Sequence, residues 1–137
     1  ELSSGKAFAP APATGPWNHP MLTHEFAKAF AASWIDSWNS HDLDRILSHY
    51  TDDFVMASPR IPIVAGEPTG ILKGKAVIGA YWRKALELSP QLQFEHLSTF
   101  VSADSIVIHY KGVRGLTAES LLFNDDGKVY RAAAHYM

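Results

Sequence analysis

From Thr23 onward, apolar residues recur at intervals of three and four: Phe26, Ala27, Phe30, Ala31, Trp34, Ile35 and Trp38. With Thr23 as a suitable N-cap, this predicts a helix running to about Trp38, broken by Asn39-Ser40-His41. Asp42 leads a second, short helix with Leu43, Ile46, Leu47 and Tyr50 on its inner side. Thr51-Asp52-Asp53 reads as a turn and Phe54–Ser58 as a short strand. Residues 59–70 carry Pro59, Pro62, Gly66, Pro68 and Gly70, which predicts a loop with a brief extended piece at Ile61–Val64. A third helix spans about Ala76 to Leu88 and ends at Ser89-Pro90.

The period then shortens to strict alternation. Gln91–Phe100, Ser105–Lys111, Leu116–Phe123 and Lys128–Tyr136 read as strands, and Asn124-Asp125-Asp126-Gly127 is a strong hairpin signal. The order α-α-β-α-β-β-β-β, with helices grouped first and strands last, predicts an α+β fold with helices on one face of a strand meander.

Composition narrows the function classes. The chain has 137 residues, the length of a single domain, and its 47% hydrophobic content is enough for one core. A net charge of −2 without any basic block argues against nucleic acid as a partner, because phosphate binding needs clustered Lys and Arg. No apolar run reaches the roughly 18–20 residues a membrane helix needs. Cysteine is absent, which excludes disulfides, thiolate catalysis and cysteine zinc sites and fits a cytoplasmic location. Residues 1–20, rich in Pro, Ala and Gly, read as a flexible extension ahead of a domain over residues 21–137.

Three segments in this order resemble one family. Trp38-Asn39-Ser40-His41-Asp42-Leu43-Asp44, continuing to the strand end at Ser58-Pro59, is similar to the opening of the ketosteroid isomerase and SnoaL-like polyketide-cyclase branches of the nuclear transport factor 2-like superfamily. The segment Gly70 to Tyr81 (GILKGKAVIGAY) resembles that family's Gly-led third helix, and Phe123 to Tyr136 (FNDDGKVYRAAAHY) its closing hairpin. The resemblance implies a cone-shaped half-barrel: three helices packed on a curved, mixed or antiparallel sheet, with a pocket between them. It implies homodimerisation through the outer sheet face as a frequent habit, with Val129 and Ala133 among the apolar residues there. A loop such as Gly66–Gly70 often borders the pocket mouth in this family, a candidate lid. Isomerases, cyclases, lyases and non-catalytic binding modules all share the scaffold, so the fold does not select among them.

Carried over residue by residue, the isomerase's general base falls on Ser58, its oxyanion tyrosine on Trp34, and its protonated acid on Glu119. One acid of that set remains, which weighs against steroid isomerisation by that mechanism. Glu119 alternates with Thr117, Leu121 and Phe123; if that face lines the pocket, desolvation raises its pKa and suits it for general acid or base work. The competing reading has the face at solvent or Glu119 paired with an Arg at a dimer surface.

Trp34, Trp38, Tyr50, Trp82, Tyr110 and Tyr136 lie at positions able to face one cavity, or to form an ordinary aromatic core. By the resemblance, Met56 and Ser58 join the candidate wall. The expected ligand is a small hydrophobic molecule, with no cofactor. The seven histidines show no pairing that ties two to one metal site, so none is expected. His135 shares parity with Val129, Arg131 and Ala133 on the outer face, unless the register slips by one residue and turns it into the pocket. The functional expectation is an aromatic-lined binding domain, either a cofactor-independent isomerase, cyclase or lyase using Glu119, or a binding or dimerisation module without turnover.

Overall fold

The computed structural model describes residues 21–137; the expected flexible extension at 1–20 lies outside the described residues. In chain order the elements are α1 (His24–Ser40), α2 (Leu43–Leu47), β1 (Tyr50–Ala57), α3 (Ile61–Ala65), β2 (Ile71–Lys73), α4 (Lys75–Leu88), β3 (Glu95–Val101), β4 (Ser105–Gly112), β5 (Gly115–Phe123) and β6 (Val129–Tyr136). The strands form one curved, unclosed sheet in the order β2-β1-β6-β5-β4-β3. β1 runs parallel to β6 and every other pairing is antiparallel, so the sheet is mixed. The α+β class and the helix-covered half-barrel expected from the sequence are what is observed.

Local chemistry fixes the helix that covers the sheet. Thr23 accepts a hydrogen bond from the Phe26 amide at 3.0 Å and so caps α1. The helix ends at His41, which takes a left-handed backbone (φ 60°) normally left to Gly or Asn. Contacts to the segment before β3 hold that corner. Asn39 donates to the Phe94 carbonyl at 3.0 Å and accepts from the Phe94 amide at 2.6 Å, and the His41 ring donates to the Leu92 carbonyl at 2.8 Å. The Asn-Ser-His break thus pins the sheet's far strand to the end of α1.

Four details differ from the sequence reading. Tyr50, expected on the second helix, opens β1 instead and pairs with Val129, after which an irregular stretch carries Asp52 and Asp53 out to solvent. The expected extended piece at Ile61–Val64 is the short helix α3. Pro62 sits in its first turn, where a missing N–H costs nothing, and Gly66 (φ 77°) closes it by donating to the Pro62 carbonyl. Residues 71–73, unassigned in the sequence, form the edge strand β2.

The fourth difference is a bulge. Phe123 pairs with Val129 while Leu122 pairs with Arg131, which leaves Tyr130 as an extra residue and reverses the parity before it. Val129 is therefore fully buried on the inner face rather than exposed on the outer one. Beyond the bulge the expected parity holds: Ala132 and Ala134 face inward, and His135 is exposed, its ring donating to the Ala118 carbonyl at 3.1 Å.

Ile46, Phe54, Ile61, Ile78, Ile106, Ile108, Leu121 and Val129, each buried to 1% exposure or less, belong to the hydrophobic core between helices and sheet. Among the described residues no helix is long and apolar enough to cross a membrane.

Candidate active site

Between the helices and the concave sheet lies a cavity of about 170 Å³. An apolar protein cavity of roughly 150 Å³ holds a benzene, so this one has room for a ring compound. α1 contributes Trp34 and Trp38, α4 contributes Tyr81 and Trp82, and the sheet contributes Met56, Tyr110, Thr117, Glu119, Ala134 and Tyr136. Ser58 and Arg60 line it just beyond β1, and the β4–β5 turn adds Val113 and Arg114, both exposed, at its rim. That turn begins at Gly112, where a Cβ would come within 3.1 Å of the Tyr110 ring, so no larger residue fits without moving that wall.

Strand alternation places Glu119 inside, as expected, with Thr117, Leu121 and Phe123, and only 4% of it is exposed. Its neighbours across the ladder are Ile108 and Ala134. Tyr110 donates to Glu119 Oε1 at 3.1 Å, and Oε2 has no hydrogen-bond partner among the described residues. Burial pushes the Glu119 carboxyl up to about 7, and the Tyr110 hydrogen bond works in the opposite direction by stabilising the carboxylate. Near neutral pH both protonation states are therefore populated, the condition a general acid or base requires. The solvent-facing and Arg-paired alternatives for Glu119 do not apply to this chain.

Trp34, Met56, Ser58, Trp82, Tyr110 and Tyr136 all line the cavity. Tyr50 does not. It lies behind the wall, where the Trp34 indole donates to its hydroxyl at 2.9 Å, and burial together with the nearby Glu119 holds its phenol well above the usual range. Ser58, in the position of the isomerase base, holds no acid; its hydroxyl accepts from the Arg60 amide at 3.1 Å and stands against the Tyr81 and Tyr136 phenols. Burial pushes Tyr81 up to about 12 and raises Tyr136 as well, so both phenols are donors at neutral pH. Trp38 Nε1 is buried and, among the described residues, has no hydrogen-bond partner.

Sequence reading missed Tyr81, Arg60 and Arg114. Tyr81 adjoins Trp82 on α4, and a helix face broad enough for two consecutive residues was the available signal. The arginines sit in turns that read as ordinary solvent segments. The Gly66–Gly70 segment does not line the cavity; of the preceding residues Arg60 and Val64 reach it, and the Glu67 carboxylate instead accepts from Thr69.

The histidines serve other ends. His49 packs edge-on against Phe30 (5.1 Å between ring centres) and lies 3.0 Å from the Ser33 hydroxyl, and burial lowers its pKa. Among the described residues no group of three His, Asp or Glu side chains could hold a metal ion.

Comparison with known proteins matches this geometry to a family. The model of the SnoaL-like domain matches residues 31–137. A SnoaL-like protein of unknown function from Burkholderia thailandensis is 51% identical, with a TM-score of 0.82 over 85% of this chain and 98% of that one. A putative polyketide cyclase from Sinorhizobium meliloti shares the fold at 17% identity (TM-score 0.63, 78% of this chain and 94% of that one). AclR, a putative hydroxylase from Streptomyces galilaeus, does so at 20% identity (TM-score 0.62, 82% and 90%). No curated protein matches. The chain belongs to the SnoaL-like domain family of the nuclear transport factor 2-like superfamily.

Proposed function

We propose that this protein binds a small, largely apolar ring compound in the cavity and moves a proton on it with Glu119, in an isomerase-, cyclase- or lyase-type reaction that needs no cofactor. The observation that carries this reading is a carboxyl group, buried among aromatic rings and held near neutrality, with one oxygen unengaged. In its ionised form Glu119 takes a proton from a carbon next to a carbonyl, and the electron pair of that bond passes to the carbonyl oxygen. The protonated carboxyl then returns the proton to another position of the same molecule. The Tyr81 and Tyr136 hydroxyls, which line the cavity, are the nearby donors available to a developing oxyanion. The SnoaL-like family and the fold shared with a putative polyketide cyclase are consistent with this class of chemistry.

The test is exchange of the α-hydrogens of 2-tetralone in D2O, followed by proton NMR. The wild-type protein accelerates exchange, and Glu119→Gln lowers the catalysed rate by about 100-fold or more, the usual worth of a positioned base. Equal rates for the two proteins would rule out proton transfer by Glu119. Tyr110→Phe removes the hydrogen bond that stabilises the carboxylate, so the rise of the rate with pH moves to higher pH than in the wild type. An unmoved profile would mean that Tyr110 does not tune this group.

Ser58 in place of a second acid favours a competing reading, a pocket that binds without turnover. Ligand-induced stabilisation with no exchange in either protein would select it.

The reading includes a homodimer through the outer sheet face. The register aligns Ile71, Ala57, Ala133, Ser120, Val107 and Phe100 in one row across all six strands. The row is apolar but for one serine, and its ends, Phe100 and Ile71, are 61% and 44% exposed. Val129, buried inside, takes no part. Ala133→Glu places a charge mid-row and is expected to turn a dimer into a folded monomer in sedimentation equilibrium. A wild-type monomer, or a variant that remains dimeric, contradicts the interface.

A further inference from the structure

Among the described residues, the charged groups that line the cavity are three: Glu119 within it, and Arg60 and Arg114. Arg60 lies between β1 and α3, half-buried, and Arg114 in the β4–β5 turn, exposed. Fifty-four positions apart in the chain, the two converge on Tyr136, whose phenol both act on electrostatically in the direction that favours a negative charge. Neither bears on Glu119, whose titration is governed by burial and by Tyr110. Among the described residues neither guanidinium has an ion-pair partner or donates a hydrogen bond, the ion pair present being Lys75 with Asp52 at 3.6 Å. Two unpaired cations therefore face one opening, with an aromatic wall behind them and the carboxyl further along it.

We infer that the cavity takes an anionic ligand: an apolar ring body carrying a carboxylate, or an equally acidic group, that docks between Arg60 and Arg114 and points the rest of the molecule at Glu119. This rests on the proposed pocket and adds the substrate class and its orientation. Guanidinium forks match carboxylate geometry, and pairing at a partly desolvated rim is stronger than in open water. A fixed anionic end also brings a defined carbon of the ring body to the carboxyl, which a featureless aromatic slot would not do by itself. A neutral amide analogue loses the charge-assisted, bidentate pairing with the arginines while keeping the aromatic contacts, so charge and shape are separable.

The probes are 2-naphthoate and its neutral counterpart 2-naphthamide, titrated into the full chain while the fluorescence of the pocket tryptophans is followed. Naphthoate is expected to bind at least about tenfold more tightly than the amide, the worth of hydrogen bonds to a charged group. Arg60→Gln with Arg114→Gln erases that preference by weakening naphthoate far more than the amide; Arg114→Gln alone, at an exposed position, removes part of it. Melting curves establish that each variant is folded. Equal affinity for the two probes, or a preference that survives the double substitution, overturns the anionic ligand and leaves the pocket standing. Binding of neither probe overturns both. Loss of exchange activity in Glu119→Gln with naphthoate binding retained separates the chemistry from the docking.

Discussion

Glu119→Gln is expected to make the protein more stable at pH 8, by about 3 kcal/mol, and to change its stability little at pH 4. The folded carboxyl titrates near 7 against an ordinary value of 4.5 because burial disfavours its charge. The native state therefore holds this proton more tightly than the unfolded chain does. Its stability relative to the unfolded chain is greatest below pH 4.5, falls as the pH rises toward 7, and levels off above it. Glutamine does not titrate, so the gap between variant and wild type opens across that window. Tyr110 keeps an amide oxygen to donate to, and any residual packing difference adds an offset independent of pH. In thermal melts the gap at pH 8 corresponds to an increase in Tm of roughly 10 °C. A difference that stays flat from pH 4 to 8 would show that the carboxyl is not desolvated. The cost is a sizeable share of the about 5–15 kcal/mol that separates folded from unfolded domains, which fits a residue placed for chemistry rather than for stability.

Trp34→Ala is expected to destabilise the protein by about 3–5 kcal/mol in urea unfolding. Trp34 is 1% exposed and packs against Trp38, Phe94 and Tyr110 at centroid distances of 6.2, 6.0 and 5.4 Å. Removal empties the wall between cavity and core and deprives the buried Tyr50 hydroxyl of the indole donor 2.9 Å away. Because the void joins an existing cavity that water can enter, the cost should fall toward the lower end of that range. Trp38 supplies the contrast. Its N–H is buried without a partner among the described residues, and an unsatisfied donor is itself worth about 1–3 kcal/mol of penalty. Trp38→Phe gives up ring volume but relieves that penalty, so it should cost less than about 1 kcal/mol. If Trp38→Phe proved as damaging as Trp34→Ala, the hydrogen-bond assignment of the two indoles would be wrong.

Periodicity made much of this molecule readable in advance. β4 and β5 alternate without interruption, so the grouping of Glu119 with Thr117, Leu121 and Phe123 on one face followed from parity, while the direction of that face did not; the face of α1 that carries Trp34 and Trp38 followed from the intervals of three and four. Where local rules compete, the reading failed. Tyr50 fits the inner side of a short helix as well as the start of a strand, and only pairing with Val129, distant in sequence, decides between them. Pro62 reads as a breaker until its place in the first turn of α3 is known. The Tyr130 bulge depends on the register of β5 against β6, which no single strand encodes, and it carried Val129 from the outer face to the core. Arg60 and Arg114 come together through tertiary structure, so nothing near either one announces the rim. The cone itself was expected from resemblance rather than derived from the pattern.

The account depends most on the protonation state of Glu119, and an NMR titration of its side-chain carboxyl carbon, assigned by its loss in Glu119→Gln, measures that directly. A midpoint near 7 is the predicted result, moving higher in Tyr110→Phe. A midpoint near the ordinary 4.5 would contradict it, leaving a hydrated carboxylate where the account requires a buried group poised to exchange a proton.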